Sequence, residues 1–446
     1  MNLTYNIKNN ARIFFIGTMF FWVALTITFN YFPYSLSSIV ALFSLAAYPF
    51  LNIEKQFLFL LTALPFVSIY KIYPGLPSLM FILYFITSVK VVKKVGISRT
   101  QLSLLSLFFL LQLIVNLINF NGLLHLVSFE LNIIFIIVLT NYFHTFDTKT
   151  KKSFLTTVTL FYTISVVIMS ILSMVFNNIS SIVSSREVYF YVNETIINRF
   201  CGIVADPNYY TQMILVSFTL CVDVLIFERI KISKKMKYSL FFSSALILYF
   251  GTLTYSKSYF IVISIIALIS IIYYLKSNNS KKKIRFILPI AIILLFLMCQ
   301  FFVTYIIPAI MQRVTTTVDL TSGRLDIWNS YFELACNDSW ILLIGAGIEN
   351  ARNLVTPYLG RPEAAHNVYI ELLFDCGIIG CIFLYLMNKR LMDSALKNLM
   401  KSSRLFFIVF CITSAGISLS AYDLFCFVFI ILEIVNFKAK DIDIVR

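Results

Sequence analysis

Apolar residues run along this chain in stretches of about 20, the length a helix needs to cross a bilayer. They fall near 13–31, 34–52, 57–73, 76–92, 101–118, 125–143, 154–175, 207–227, 239–254, 257–275, 286–306, 367–387, 405–422 and 424–437. The pattern predicts an all-α polytopic membrane protein of about 14 transmembrane helices. Two polar stretches, roughly 177–206 and 307–366, are too long to be simple connections, and loops of that length usually carry function. The chain then divides into N-terminal transmembrane helices that read as scaffold (1–176), a first loop (177–206), a second set of spans (207–306), a large helical loop (307–366), and C-terminal helices with a polar tail (367–446). Within the large loop Leu325, Trp328 and Phe332 have amphipathic helical spacing, which predicts a helix lying along the membrane interface.

Composition narrows the class. Hydrophobic residues make up 59% of the chain and charged residues only 13%, against about 25% charged in soluble domains, which excludes a water-soluble enzyme. The formal charge is +15, but the cations sit in short segments between apolar runs rather than on one soluble face. They report topology and not a nucleic-acid partner. With both termini in the cytoplasm, all but eight of the 36 Lys and Arg fall on cytoplasmic segments. The exceptions are Lys71, Arg186, Arg199, Lys257, Arg313, Arg324, Arg352 and Arg361. Six of these are arginines in the two long loops, so those loops face outward and the C-terminal half holds the chemistry. The first run lacks a small-residue cleavage site and is too long for a signal-peptide core, so it reads as a retained span. The eight cysteines form no CxxC pair, and no zinc, iron–sulfur or disulfide framework follows.

Three places bear candidate chemistry. The first loop ends Arg199-Phe200-Cys201-Gly202 and then Asp206-Pro207-Asn208, where Asp206 and Pro207 read as a helix cap and first helical residue. Arg199 is either an interfacial anchor or, beside a helix N-terminus, part of a site for an anion such as phosphate. Thr254-Tyr255-Ser256-Lys257-Ser258 makes a polar kink between two apolar runs. Lys257 either snorkels to headgroups or sets a point charge near a phosphate. The large loop carries Ser322-Gly323-Arg324, then Trp328, then Gly345-Ala346-Gly347, and ends at His366-Asn367. His366 stands apart from His144 on the inner side and from His125, which lies near an outer helix end without the arginine-rich loops. It is either an ordinary helix-end residue or an imidazole suited to orienting or deprotonating a hydroxyl.

Taken in order, Arg199-x-x-Gly202 with Pro207-Asn208, Ser256-Lys257-Ser258, Gly323-Arg324-x-x-x-Trp328, Gly345-x-Gly347, His366-Asn367-x-Tyr369 and Gly377-x-x-Gly380 resemble the bacterial O-antigen ligase and O-antigen or capsule polymerase family. The likeness covers roughly Arg199 to Tyr385. It implies a membrane glycosyltransferase of C-type architecture in the bacterial inner membrane, acting outside the cytoplasm in lipopolysaccharide or capsule synthesis. Donor and acceptor would be glycans on undecaprenyl pyrophosphate, and a chain-length regulator would be a further partner. The resemblance gives His366, Arg324 and Arg199 catalytic roles. Asn208, Asn367, Trp328 and Arg186 join them as pyrophosphate or glycan contacts, and Lys257 stands where the family often has Arg, without an arginine's bidentate geometry. No DxD-type acidic cluster occurs in the outer loops, so neither metal nor other cofactor is expected, and loss of pyrophosphate would rest on the arginines. The predicted span count and Asp206-Pro207-Asn208-Tyr209 resemble polymerases, which join repeat units, more than ligases, which move finished glycan to lipid A-core. A lipid-linked oligosaccharide flippase, a different class, should carry cations within the bundle and show related halves; here the outer cations sit in two loops of one half.

Overall fold

In a bilayer core the backbone must satisfy its own hydrogen bonds, which leaves helices as the economical solution for these apolar runs. The computed structural model of the protein describes residues 2–72, 78–119, 123–176, 189–192, 195–204, 206–227, 232–276, 303, 307, 324–397, 405–415 and 422–435. The run near 286–306 lies almost wholly outside them, and so do Arg186 and Arg313. Every other apolar run holds a helix. These are α1 (Asn2–Tyr31), α2 (Leu36–Ala47), α3 (Ile53–Ala63), α4 (Met80–Val95), α5 (Arg99–Ile118), α6 (Leu123–His144), α7 (Thr148–Val175), α8 (Pro207–Val222), α9 (Lys234–Thr252) and α10 (Lys257–Lys276). After the large loop come α15 (Val368–Met387), α17 (Leu405–Ser414) and α18 (Tyr422–Val435), with α16 (Lys389–Lys397) between the first two. Among the described residues, six helices are long and apolar enough to span a membrane, within 12–31, 99–118, 123–144, 148–175, 207–226 and 368–387, as in a multi-pass membrane protein.

Helix starts follow the capping residues in the sequence. Ser98 and Gln101 form a reciprocal capping box on α5, and Asp147 accepts from the Thr150 N–H to start α7. Each satisfies amide groups that the first turn leaves unpaired. Inside the bundle α6 lies between α4 and α18, and α8 packs on α17. The core is aromatic: the Trp22 ring lies parallel to Phe66 at 5.2 Å while its indole N–H donates to Thr62 Oγ1.

One element departs from the all-α expectation. Tyr189–Val192 (β1) pairs antiparallel with Thr195–Asn198 (β2), Val192 opposite Thr195. The reason is local: Tyr-Phe-Tyr-Val and Thr-Ile-Ile are aromatic and β-branched, and only two residues separate them, which favours a hairpin over a helix.

The large loop also differs in detail from expectation. It folds as α11 (Arg324–Asn337), α12 (Trp340–Ile344), α13 (Ala351–Leu354) and α14 (Thr356–Leu359). On α11 the buried residues are Ile327, Ser330, Tyr331, Leu334 and Ala335, which join Ile341, Val355 and Phe374 of α15 in a small separate core. Leu325 and Phe332 are exposed. Of the anticipated apolar stripe only Leu325 and Phe332 face outward, while Trp328 packs on the small core.

At the far end of the bundle Lys151 Nζ meets Glu433 Oε1 at 2.8 Å with both side chains buried, and His144 Nδ1 reaches the same oxygen at 3.0 Å. Glu433→Leu should strand the Lys151 charge and cost about 3–5 kcal/mol. That loss is readable as a lower melting temperature in detergent, and adding Lys151→Met should recover most of it.

Candidate active site

Two clusters form at the end of the bundle where α8 and α15 begin. The first joins the two motifs around Arg199 and Ser256. Gly202, at φ +61°, turns the chain where a Cβ would stand 2.6 Å from Met169 Sδ, so this position needs glycine. Asp206 then caps α8 by accepting the Asn208 N–H, with Pro207 in the first turn. On the other side the kink after α9 holds Tyr255 in the left-handed region. Arg199 Nε donates to the Thr254 carbonyl at 2.9 Å and Nη2 to Asn208 Oδ1 at 3.3 Å, and Ser256 Oγ donates to that same Asn208 oxygen. The guanidinium is therefore fixed by chain segments about 50 residues apart, as a preorganised charge should be. Lys257 opens α10, and its side chain lies outside the described residues. Burial, with Asp206 adding to it and Arg199 opposing, pushes the Cys201 thiol up to about 11; it stays protonated at neutral pH.

The second cluster gathers on His366. Trp328 Nε1 donates to the Ala365 carbonyl at 2.9 Å and the Tyr331 hydroxyl to the Glu363 carbonyl at 3.1 Å. Burial, helped by the charges of Glu371 and Asp375, raises the Tyr331 pKa, so the phenol remains a donor. Arg324 begins α11 one turn before Trp328, on the same face by helical spacing. His366 itself has φ +50°, a conformation that costs an ordinary residue on the order of 1 kcal/mol. Its N–H donates to Glu371 Oε1 at 2.9 Å and its Nε2 lies 3.2 Å from Glu363 Oε1. Arg361 holds the other Glu363 oxygen. An ionised carboxylate only accepts, so Nε2 carries the proton and Nδ1 of the neutral ring is left as an acceptor. Asn367 caps α15, its Oδ1 accepting from the Tyr369 and Ile370 N–H groups. The two clusters flank one helix end: Gln212 of α8 donates to Ser414 of α17, and the Tyr369 hydroxyl to the Cys411 carbonyl of α17.

Sequence reading missed what holds this arrangement in place. α15 is broken at Gly377 (φ +68°, ψ 172°), and the carbonyls the break releases are taken by the Gly345-Ala346-Gly347 strip. Ala346 N–H donates to Phe374 O and Gly347 N–H to Asp375 O, while Gln112 Nε2 donates to Cys376 O. The Asp375 carboxylate in turn accepts from the Glu349 and Ala351 N–H groups, and Asn119 Nδ2 donates to Ala346 O. Every bond here relieves a polar group that would otherwise be stranded within the bundle. The N-terminal part of the chain thus contributes Gln112 of α5 and Asn119 just after it to this arrangement. His125 also corrects the expectation that it lies apart from the arginine-rich loops: its Nδ1 is 3.2 Å from Glu349 Oε2, which Arg352 approaches too. A Cβ at Gly377 would fall 2.5 Å from the Gly345 nitrogen and the Leu343 carbonyl oxygen. Gly377→Ala should therefore undock the strip, seen as new protease cleavage between Ile344 and Ala351 and loss of activity with the protein still inserted.

Among the described residues no group of three His, Cys, Asp or Glu side chains forms that could hold a metal ion. The fold and the clusters define a multi-pass membrane protein with a polar, arginine- and histidine-bearing site at one end of its bundle. Residues 242–385 match the family model described as O-antigen ligase, which supports the resemblance to the O-antigen ligase and polymerase family over that part of the chain. No curated protein and no solved structure matches.

Proposed function

We propose that the protein is a glycosyltransferase of the outer face of a bacterial inner membrane, its termini cytoplasmic, that polymerises glycan repeat units carried on undecaprenyl pyrophosphate. The observation that carries this reading is the Glu363–His366 pair, held by Trp328 of the helix that begins at Arg324. An acceptor sugar hydroxyl gives its proton to His366 Nδ1 while its oxygen attacks the anomeric carbon of the donor. The bond from that carbon to the pyrophosphate oxygen breaks, and undecaprenyl pyrophosphate leaves with the electron pair. Glu363 steadies the imidazolium that forms, as the buried carboxylate does in a hydrolase triad. Arg199, Arg324 and Lys257 meet the charge developing on the leaving group, with Asn208, Asn367, Trp328 and Arg186 near the pyrophosphate and glycan. One displacement inverts the anomeric centre.

The ligase reading is favoured by the description of the matching family model. Purified protein in liposomes separates the readings. Lipid-linked repeat units alone should become a ladder of longer chains if it is a polymerase. Transfer only when lipid A-core is supplied would make it a ligase, and movement of the lipid across the bilayer with no new glycosidic bond would make it a flippase.

A further inference from the structure

A second polar recess lies at the opposite end of the bundle. α5 and α15 both run from the candidate active site to it, a helix length of about 30 Å for 20 residues. It is a cavity of about 590 Å³ between the start of α5, the end of α6 and the junction of α15 with α16. Its lining includes His144, Lys389 and Arg390, and no Asp or Glu. The uncharged part is polar, with Ser98 and Asn141 both donating to Gln101 Oε1. Lys389 and Arg390 are exposed, and among the described residues neither has an ion-pair partner, whereas His144 is engaged by Glu433. Leu391, one residue on, is buried, so α16 presents charge on one side and an apolar anchor on the other, as interfacial helices do.

Above the cavity the surface turns apolar. Leu102 of α5 and Ile382, Tyr385 and Leu386 of α15 are exposed large hydrophobic residues on neighbouring helices. A cationic, polar recess opening onto an apolar strip matches an amphipathic ligand: charge at headgroup depth and chains along the helices. A free anion would use only the recess. We infer that this cavity binds the headgroup of an anionic phospholipid, with its acyl chains on the strip between α5 and α15. Basic recesses between membrane helices near the headgroup layer are suited to such lipids. The inference does not depend on the glycosyltransferase reading, because it concerns the other end of the bundle.

The test is lipid retention by the purified full chain in neutral detergent, loaded with equal amounts of phosphatidylglycerol and phosphatidylcholine and read by native mass spectrometry. Wild type should keep phosphatidylglycerol preferentially. K389Q/R390Q should lose retention by about thirtyfold, as expected for two cations near an anionic headgroup, and each single variant should lose part of it. K234Q/K235Q removes the same charge from exposed positions at the start of α9 and should behave as wild type. Unaltered helical circular dichroism would show that K389Q/R390Q is folded. Equal retention of the two lipids by wild type, or an unchanged preference in K389Q/R390Q, overturns the proposal. So does an equal loss in K234Q/K235Q, which would mean general charge attraction. Full displacement of the lipid by millimolar inorganic phosphate would replace it with a free-anion site.

Discussion

His366→Ala should lower glycosyl transfer by roughly 10²–10⁴-fold, the range for losing a general base, with donor binding largely kept. The imidazole pairs with Glu363 through Nε2, which leaves its other ring nitrogen for the acceptor hydroxyl. Its backbone is held in the left-handed region by Glu371, so the ring's position is fixed independently of its chemistry. Gln at this position can hydrogen-bond but cannot take up a proton usefully. Substantial activity in His366→Gln would assign orientation, and none would assign the base. Glu363→Gln supplies a second reading: it keeps size while removing the charge that steadies the imidazolium, and should lower turnover with little change in KM. If both His366 variants turn over like wild type, the proposed acceptor activation is wrong.

Arg324→Ala should cost on the order of 10²–10³-fold in turnover, the usual loss for a preorganised group that meets charge developing in the transition state. Arg199→Ala should cost at least as much, because that guanidinium also bonds the Thr254 carbonyl and Asn208, and its removal loosens the contact between the first loop and the kink. Lysine should rescue poorly in both places, since an ammonium lacks the planar fork that grips phosphate and carbonyl together. Gel ladders of lipid-linked glycan, normalised to protein in the membrane, measure this. Normal chain length in both Ala variants would remove the arginines from the reaction.

The helices were legible because membrane helices are long, continuous in sequence and dictated by one dominant force. The caps at Asp206 and Ser98 act within three residues, so they too can be read locally. His366, Arg199 and Arg324 stood out as polar groups beside apolar runs. What stayed hidden depends on partners distant in the chain: Asn119 meets Ala346 and Gln112 meets Cys376 across more than 200 residues, and no periodicity records such a pairing. Gly345-Ala346-Gly347 carries no local sign that its amides serve another helix. Gly377 sits in an apolar run whose pattern continues on both sides, which hides the break. The hairpin was within reach, since Tyr189 to Val192 and Thr195 to Ile197 carry a strand composition that a search for spans passes over.

The docking of the 345–347 strip across the break at Gly377 sets where this protein can be recombined with a relative. A graft that exchanged the whole outer loop at its apparent borders would bring new amides to old carbonyls, and the released groups at Phe374, Asp375 and Cys376 would have no guaranteed partners. The heritable unit is instead a discontinuous one: the strip, the Asp375 to Gly377 corner, and Gln112 and Asn119 in and just after α5. Chimeras that carry all three together keep the broken helix closed. Exchanges confined to α14, which buries no residue, leave that unit untouched, whereas α13 opens with Ala351, whose N–H is bound to Asp375.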